Sequence, residues 1–262
     1  MSDVLRGILA RKVEEVAQAR RARPLALLRD TPQYALPRRS LVGALAGKGQ
    51  PPQIIAEVKR ASPSAGAIRP GLDAVAQASE YASAGAAAVS VLTDGPGFGG
   101  SLRDLEQVRA QVAVPVLRKD FIVDAYQLEE AKASGADAVL LIVAALEAPA
   151  LAALHQQAVA LGLDVLVEVH DEAELDVALG IAPALVGVNN RNLSTFHVSL
   201  EVSERLLPRL PVGVKGVAES GVTGPADVSR LRRCGAANFL VGEALVRAPS
   251  AATLLAALKD AR

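Results

Sequence analysis

Eight short, β-branched apolar runs, each followed by a polar loop and an Ala/Leu-rich helical segment, predict an α/β fold: a single (β/α)8, or TIM, barrel with an N-terminal helical extension. Two further observations agree. The chain has 262 residues, close to the roughly 250 that such a barrel occupies as one domain. The runs are also nearly continuous in apolar residues, as parallel strands covered on both faces are. A doubly wound open sheet is the rival, weakened because no G-x-G-x-x-G follows the first run.

Residues 1–50 stand outside the repeat. In "VLRGILARKVEEVAQARRA", Val4, Ile8, Leu9, Val13 and Val16 recur at close to helical spacing, which predicts an amphipathic helix. "RPLALLRDTPQYALPRRS" reads as a Pro-broken connection. This extension either packs on the side of the barrel or caps one of its ends. The strand runs are then "QIIAEVK" (53–59), "AAAVSVL" (86–92), "VPVLRK" (114–119), "DAVLLIV" (137–143), "DVLVEV" (164–169), "ALVGVNN" (184–190), "VGVKGVAES" (212–220) and "NFLVG" (238–242). Asp124-x-x-Gln127 and Asp171-x-x-Glu174 resemble capping boxes that start helices. "SGAD" (134–137) and "RCGAAN" (233–238) put glycine at a helix end just before a strand.

Composition narrows the function. Lys+Arg and Asp+Glu both number 28, so there is no electrostatic footprint for nucleic acid, and aromatics at 3% with no Trp offer few stacking platforms. No apolar run approaches the ~20 residues of a membrane span, and the N-terminus lacks a secretory h-region. The single cysteine, Cys234, fits a reducing cytoplasm, which is the expected location. His155, His170 and His197 show no metal-ligand spacing, so no metal is expected. Cys234, at a helix end away from the strand C-termini, reads as packing rather than as a nucleophile.

In barrels of this class the C-terminal strand ends carry the chemistry. The first run ends in Glu57 and Lys59, two apart and therefore on one face; Arg60 is expected to point away. The third ends in Lys119, the fifth in Glu168, the sixth in Asn189 with Arg191 two beyond, the seventh in Glu219 and Ser220, and the eighth in Gly242 and Glu243. A single charge at a rim is ordinary. Polar groups at the same end of six strands describe a site, and its chemistry is that of lysines and carboxylates in general acid–base roles. Glycines after the seventh and eighth runs, Gly221 and Gly242, with the N–H of Glu243, suit a phosphate at a loop–helix junction. "DGPGFGG" (94–100) lacks the Gly-Lys-Ser/Thr ending of a P-loop and reads as a flexible loop.

Taken together, "IIAEVKRASPSAGAIR", "VLTDGPGFGGSLRDL", "PVLRKDFIVDAYQLEEAKASGADAVLLI", "VLVEVHDEAEL", "GVNNRNL" and "VAESGVTGPADV…FLVGEAL" resemble, in order, the signatures of the indole-3-glycerol-phosphate synthases. The resemblance runs from the N-terminal helix to the last one. It implies closure of the pyrrole ring of 1-(2-carboxyphenylamino)-1-deoxyribulose 5-phosphate, with loss of CO2 and water, in tryptophan biosynthesis and without a cofactor. It further implies Lys119 as the acid at the substrate carbonyl and Lys59 between phosphate binding and proton transfer in dehydration. Glu57 is then the partner of Lys59, and Glu168 the base or the stabiliser of a developing cation. Asn189 and Arg191 orient the substrate, and Glu219 positions hydroxyls or lysines. Ser62 lies near the ligand, Phe98, Phe121 and Leu193 hold the aromatic ring, and Ser220, Gly221, Gly242 and Glu243 belong to the phosphate loops. The expected partner is a small phosphorylated molecule rather than nucleic acid or membrane. A monomer is expected, with other tryptophan-pathway enzymes as the protein partners to look for. Three features depart from the family pattern: Asn192 replaces Asp in N-N-R-D-L, Ser199 replaces a frequent Asp, and "DGPGFGG" carries extra glycines. Two alternatives stand. Another phosphate-binding barrel such as phosphoribosylanthranilate isomerase would share the last two strands but lacks E-V-K and K-D-F; a non-catalytic barrel subunit would not need its strand-end lysines and glutamates.

Overall fold

The structure, a computed structural model that describes residues 2–262, is a closed barrel of eight parallel strands. They are β1 (Gln53–Val58), β2 (Ala88–Leu92), β3 (Val116–Lys119), β4 (Ala138–Ile142), β5 (Asp164–Val169), β6 (Leu185–Asn189), β7 (Lys215–Glu219) and β8 (Asn238–Val241). Each pairs with its neighbours in sequence, and β1 closes on β8 through Gln53–Asn238 to Ala56–Val241. Helices follow the strands around the outside, from Ala74–Ser83 to Ala251–Lys259. Several strands begin later than their apolar runs, and two of them have a plain local cause. The seventh starts at Lys215 because Val212 is fully exposed and Gly213 turns at φ 96°. The third starts at Val116, after Pro115, whose ring has no N–H for the ladder.

Alternation along the strands sorts the core into two shells. Ile54, Ala56, Val89, Val116, Val139, Val165, Val167 and Ala218 face the helices in one buried cluster. Ile55, Ala88, Leu117, Leu140, Leu166, Val217 and Leu240 fill the tube in another. In β1, Ile55 faces the interior, so Glu57 and Lys59 continue that inward face. The same parity places Lys119 above Leu117, Glu168 above Leu166, and Glu219 above Val217.

The N-terminal segment meets both ends of the tube. Leu41 and Leu45, from the short helix Leu41–Ala44 and its C-cap, join the interior cluster from the N-terminal end. The carbonyls left free by that helix are satisfied: Lys215 Nζ donates to the carbonyls of Val42 (2.7 Å) and Leu45 (2.6 Å). Asn238 holds Ala46 through both N–H and C=O. At the opposite end lies the helix Asp3–Ala22, whose Val4, Leu5 and Ile8 line the cavity at the strand C-termini. Lys12, from this helix, is buried against Asp94 (2.7 Å) and Asp120 (3.0 Å). Asp120 in turn takes Arg118, so the ion network ties the helix to the residue after Lys119.

Start signals behave as their chemistry dictates. Asp124 and Gln127 form the reciprocal capping box. Asp171 accepts the N–H of Glu174, but Glu174 does not return the bond to Asp171; its carboxylate goes one residue further back, to His170. Gly135 (φ 85°) and Gly235 (φ 94°) take the left-handed conformation that ends helices before strands. Among the described residues, no helix is long and apolar enough to cross a membrane.

Removing Lys12 takes away the buried ammonium that Asp94 and Asp120 share and leaves each with its arginine alone. Lys12→Ala should cost about 3 kcal/mol of unfolding free energy in urea titrations; an unchanged midpoint would show that the network contributes nothing to docking the helix.

Candidate active site

The cavity at the C-terminal mouth of the barrel encloses about 1080 Å3. Every residue named from the strand ends and their loops lines it: Glu57, Lys59, Ser62, Phe98, Lys119, Phe121, Glu168, Asn189, Arg191, Leu193, Glu219, Ser220, Gly221, Gly242 and Glu243.

At its floor one ammonium is shared. Lys119 Nζ lies 2.9 Å from Glu168 Oε2 and 3.0 Å from Glu219 Oε2, bringing β3, β5 and β7 together. Both carboxylates are 2% exposed. Burial works against the charged lysine, but Glu168, Glu219 and Glu57 together outweigh it and raise its pKa well above the ordinary lysine value. The two carboxylates part ways. Burial opposes ionisation of Glu168, yet Lys119 and His170 hold its pKa far below the usual range. Glu219 is pushed up to about 7 by burial and by the charges of Glu168 and Glu57, against the pull of Lys119. Among the described residues its Oε1 has no hydrogen-bond partner. Room for that oxygen comes from Gly187 on β6, where a Cβ would sit 2.0 Å from it.

Glu57 pairs with Lys59 at 2.9 Å on the adjoining wall. Gly242 makes space for it: a Cβ there would lie 2.5 Å from Glu57 Oε1. Arg60 does turn away. It forms a two-pronged pair with Asp104 (2.8 and 2.9 Å) and donates to the carbonyls of Gly99 and Leu72. The loop between β1 and its helix folds back as a small hairpin, Ala61–Ser62 with Gly66–Ala67, and Ser62 Oγ accepts the N–H of Ala65.

Asn189 Nδ2 donates to Glu168 Oε1 (3.1 Å), while its Oδ1 accepts the N–H of Arg191 (3.0 Å). One amide thus orients a carboxylate and sets the start of the following loop. In that loop Asn192 Oδ1 accepts the N–H groups of Ser194 and Thr195. An Asp there would offer the same acceptor, so the departure from N-N-R-D-L keeps the turn. Ser199 likewise accepts the N–H of Glu201. Phe98 and Phe121 stand with ring centroids 6.0 Å apart and tilted by 53°, forming an apolar wall. The loop around Phe98 is held rather than free. Asp94 is gripped by Arg11 and Lys12, and the carbonyls of Asp94 and Gly95 accept the N–H groups of Gly100 and Gly99.

On the far rim Ser220 (φ 63°) and Gly221 (φ 83°) reverse the chain after β7. Gly242 leads into the short helix Glu243–Arg247, and the Glu243 carboxylate is taken up by Arg247 at 2.9 Å, so only its backbone is left for a ligand. Cys234 is remote and half-buried, with its thiol on the carbonyl of Leu231.

A family model described as indole-3-glycerol phosphate synthase matches residues 5–258 of this chain. The chain belongs to the indole-3-glycerol phosphate synthase family. Relatives carrying that name include one from Polaromonas sp. strain JS666, 50% identical over 98% of this chain and 98% of its own, and one from Chromobacterium violaceum, 51% identical over 94% of each. Among solved structures, KGPDC from Streptococcus mutans (TM-score 0.61, 14% identity, 80% of this chain, 97% of that one) shares the fold. So does N-acetylmannosamine-6-phosphate 2-epimerase from Clostridium perfringens (TM-score 0.60, 13% identity, 79% and 90%).

Two groups at this synthase-family mouth escape a reading of strand ends: the apolar face Val4–Leu5–Ile8, and His170, whose Nε2 lies 3.4 Å from Glu168 Oε1. The signal for His170 was present, since it lies two residues beyond Glu168.

The raised Glu219 value fixes the sign of a pH effect. The folded state holds this proton more tightly than the unfolded chain, so the group's contribution is full below its ordinary 4.5 and is lost as pH rises through about 7. Glu219→Gln should therefore gain stability relative to the native sequence by roughly 1–3 kcal/mol between pH 4.5 and 8 in urea titrations. A difference that does not vary with pH would contradict the shift.

Proposed function

We propose that this chain converts 1-(2-carboxyphenylamino)-1-deoxyribulose 5-phosphate to indole-3-glycerol phosphate, a carboxy-lyase reaction of tryptophan biosynthesis. The observation that carries the chemical reading is the Lys119 ammonium between Glu168 and Glu219 at the floor of the mouth. Family membership supplies the substrate. A cavity of about 1080 Å3 has room for a molecule of this size.

Bond formation between the anthranilate ring carbon and the C2′ carbonyl carbon puts charge on the carbonyl oxygen, and Lys119 delivers its proton there. The aniline nitrogen becomes cationic as the ring closes, and the Glu168 carboxylate, kept ionised, stabilises that charge or takes the nitrogen's proton. Loss of CO2 restores the aromatic ring. Water is then eliminated: Lys59, paired with Glu57 on the adjoining wall, protonates the departing C2′ hydroxyl, and the C1′ proton passes to a carboxylate of the site as the pyrrole double bond forms. Glu219, sharing the ammonium of Lys119, positions that lysine. Arg191 attracts the substrate carboxylate and Asn189 aligns Glu168. Phe98, Phe121 and Leu193 clasp the anthranilate ring, with Ser62 at the ligand's edge. The phosphate is held by Lys59, Ser220 and the backbone of Gly221, Gly242 and Glu243. In this reading residues 1–50 and the barrel form one domain, with the first helix as a cap on the mouth, working as a monomer in the cytoplasm. Its substrate is small and phosphorylated.

The test is the appearance of indole fluorescence from the carboxyphenylamino-deoxyribulose phosphate. A positioned general acid supplies about 10²–10⁴-fold in rate, so Lys119→Ala should lower kcat by that order with KM nearly unchanged. Arg191→Ala should raise KM while retaining most of kcat. Near-normal turnover by Lys119→Ala would contradict the assignment of the acid, and an unchanged KM in Arg191→Ala would contradict the carboxylate anchor.

A further inference from the structure

His170 is absent from the cavity wall yet touches its chemistry from behind. It follows β5 directly, on the inward parity of Leu166 and Glu168. Its side chain is 12% exposed. Glu174, from the helix Glu172–Leu179, fixes it twice: one carboxylate oxygen accepts the backbone N–H of His170 at 2.8 Å and meets Nδ1 at 2.9 Å. This is the carboxylate that leaves its expected capping partner Asp171, so the departure from a full capping box serves the imidazole. With Nδ1 so held, Nε2 faces Glu168 Oε1 at 3.4 Å.

We propose that His170, clamped by Glu174, is a positioning residue that keeps Glu168 ionised and oriented when Lys119 gives up its proton. The inference rests on the roles given above to Lys119 and Glu168. In the resting site Glu168 faces two cations, Lys119 at 2.9 Å and His170 at 3.4 Å, with Asn189 as a neutral donor. Once Lys119 is neutral, the imidazolium is the cation still beside Glu168, because Lys59 is taken up by Glu57 on the adjoining wall. Nε2 makes no hydrogen bond of good geometry at rest, so its contact can shorten at that moment. Burial disfavours a charged ring, but Glu168 and Glu174 on either side outweigh it and push the His170 pKa up to about 10, so the cation persists across the working range.

The test compares the native enzyme with His170→Gln, which removes the charge and keeps a polar side chain. Expected are a fall in kcat of about tenfold or more, a fraction of the 10²–10⁴ a positioned base supplies, and a KM within about twofold. The acid limb of kcat/KM should move to higher pH, because a carboxylate that loses a neighbouring cation holds its proton more tightly. A kcat within twofold of native, or an acid limb that does not move, overturns the proposal. Should His170→Gln fail to fold, the imidazole 15N shifts of the native protein decide. Two protonated nitrogens at pH 8 support the clamp, and one unprotonated nitrogen overturns it. That spectrum also separates the two readings, because native enzyme that makes no indole product refutes the proposed function while leaving the charge state of His170 measurable.

Discussion

A single ammonium held by two buried carboxylates is the constraint around which this molecule is built. Lys119, Glu168 and Glu219 come from β3, β5 and β7, so the cluster exists only when the barrel has closed. Its strength depends on dryness, since the same contacts in water would be worth little. The chain supplies that dryness from both ends. Leu41 and Leu45 plug the tube below, and the helix Asp3–Ala22 sets apolar side chains across the mouth above. Two glycines leave space for the carboxylates: Gly187 on β6 for Glu219, and Gly242 just after β8 for Glu57. Neither substitution to alanine could be absorbed without moving a charged group.

One cation between two buried acids also divides their roles. Glu168 has Lys119, Asn189 and His170 and stays ionised; among the described residues Glu219 has Lys119 on one oxygen and no partner on the other, and holds its proton close to neutrality. Environment alone separates two residues of the same type on the same barrel face. The division suits a reaction that needs a stable negative charge beside a developing cation and a lysine whose proton can be returned.

Much of this was legible in the sequence because strand periodicity is rigid. A residue two positions beyond an inward apolar one must face the same interior, which is why Glu57, Lys59, Lys119, Glu168 and Glu219 could be located from spacing. Loop residues followed less directly. Ser62, Phe98 and Leu193 came from motif resemblance, since no periodicity governs a loop. Asn192 shows the reverse case: the motif registers a departure where physics sees the same acceptor oxygen on the same two N–H groups. The double contact of residues 1–50 was open between packing and capping, because helical spacing fixes a face but not the surface it meets. Metal-ligand spacing does not single out His170; its place two residues beyond Glu168, on the same inward parity, does.

The hold of the two carboxylates on Lys119 is measured most directly through the 15N resonance of its Nζ, followed in lysine-labelled protein as pH is raised. Lys119 should stay charged after exposed lysines have passed their midpoints near 10.4, because three carboxylates surround it in a buried site. A Lys119 that loses its proton at or below the ordinary lysine value would mean that the ammonium is not held as described, and the division of roles between Glu168 and Glu219 would fall with it.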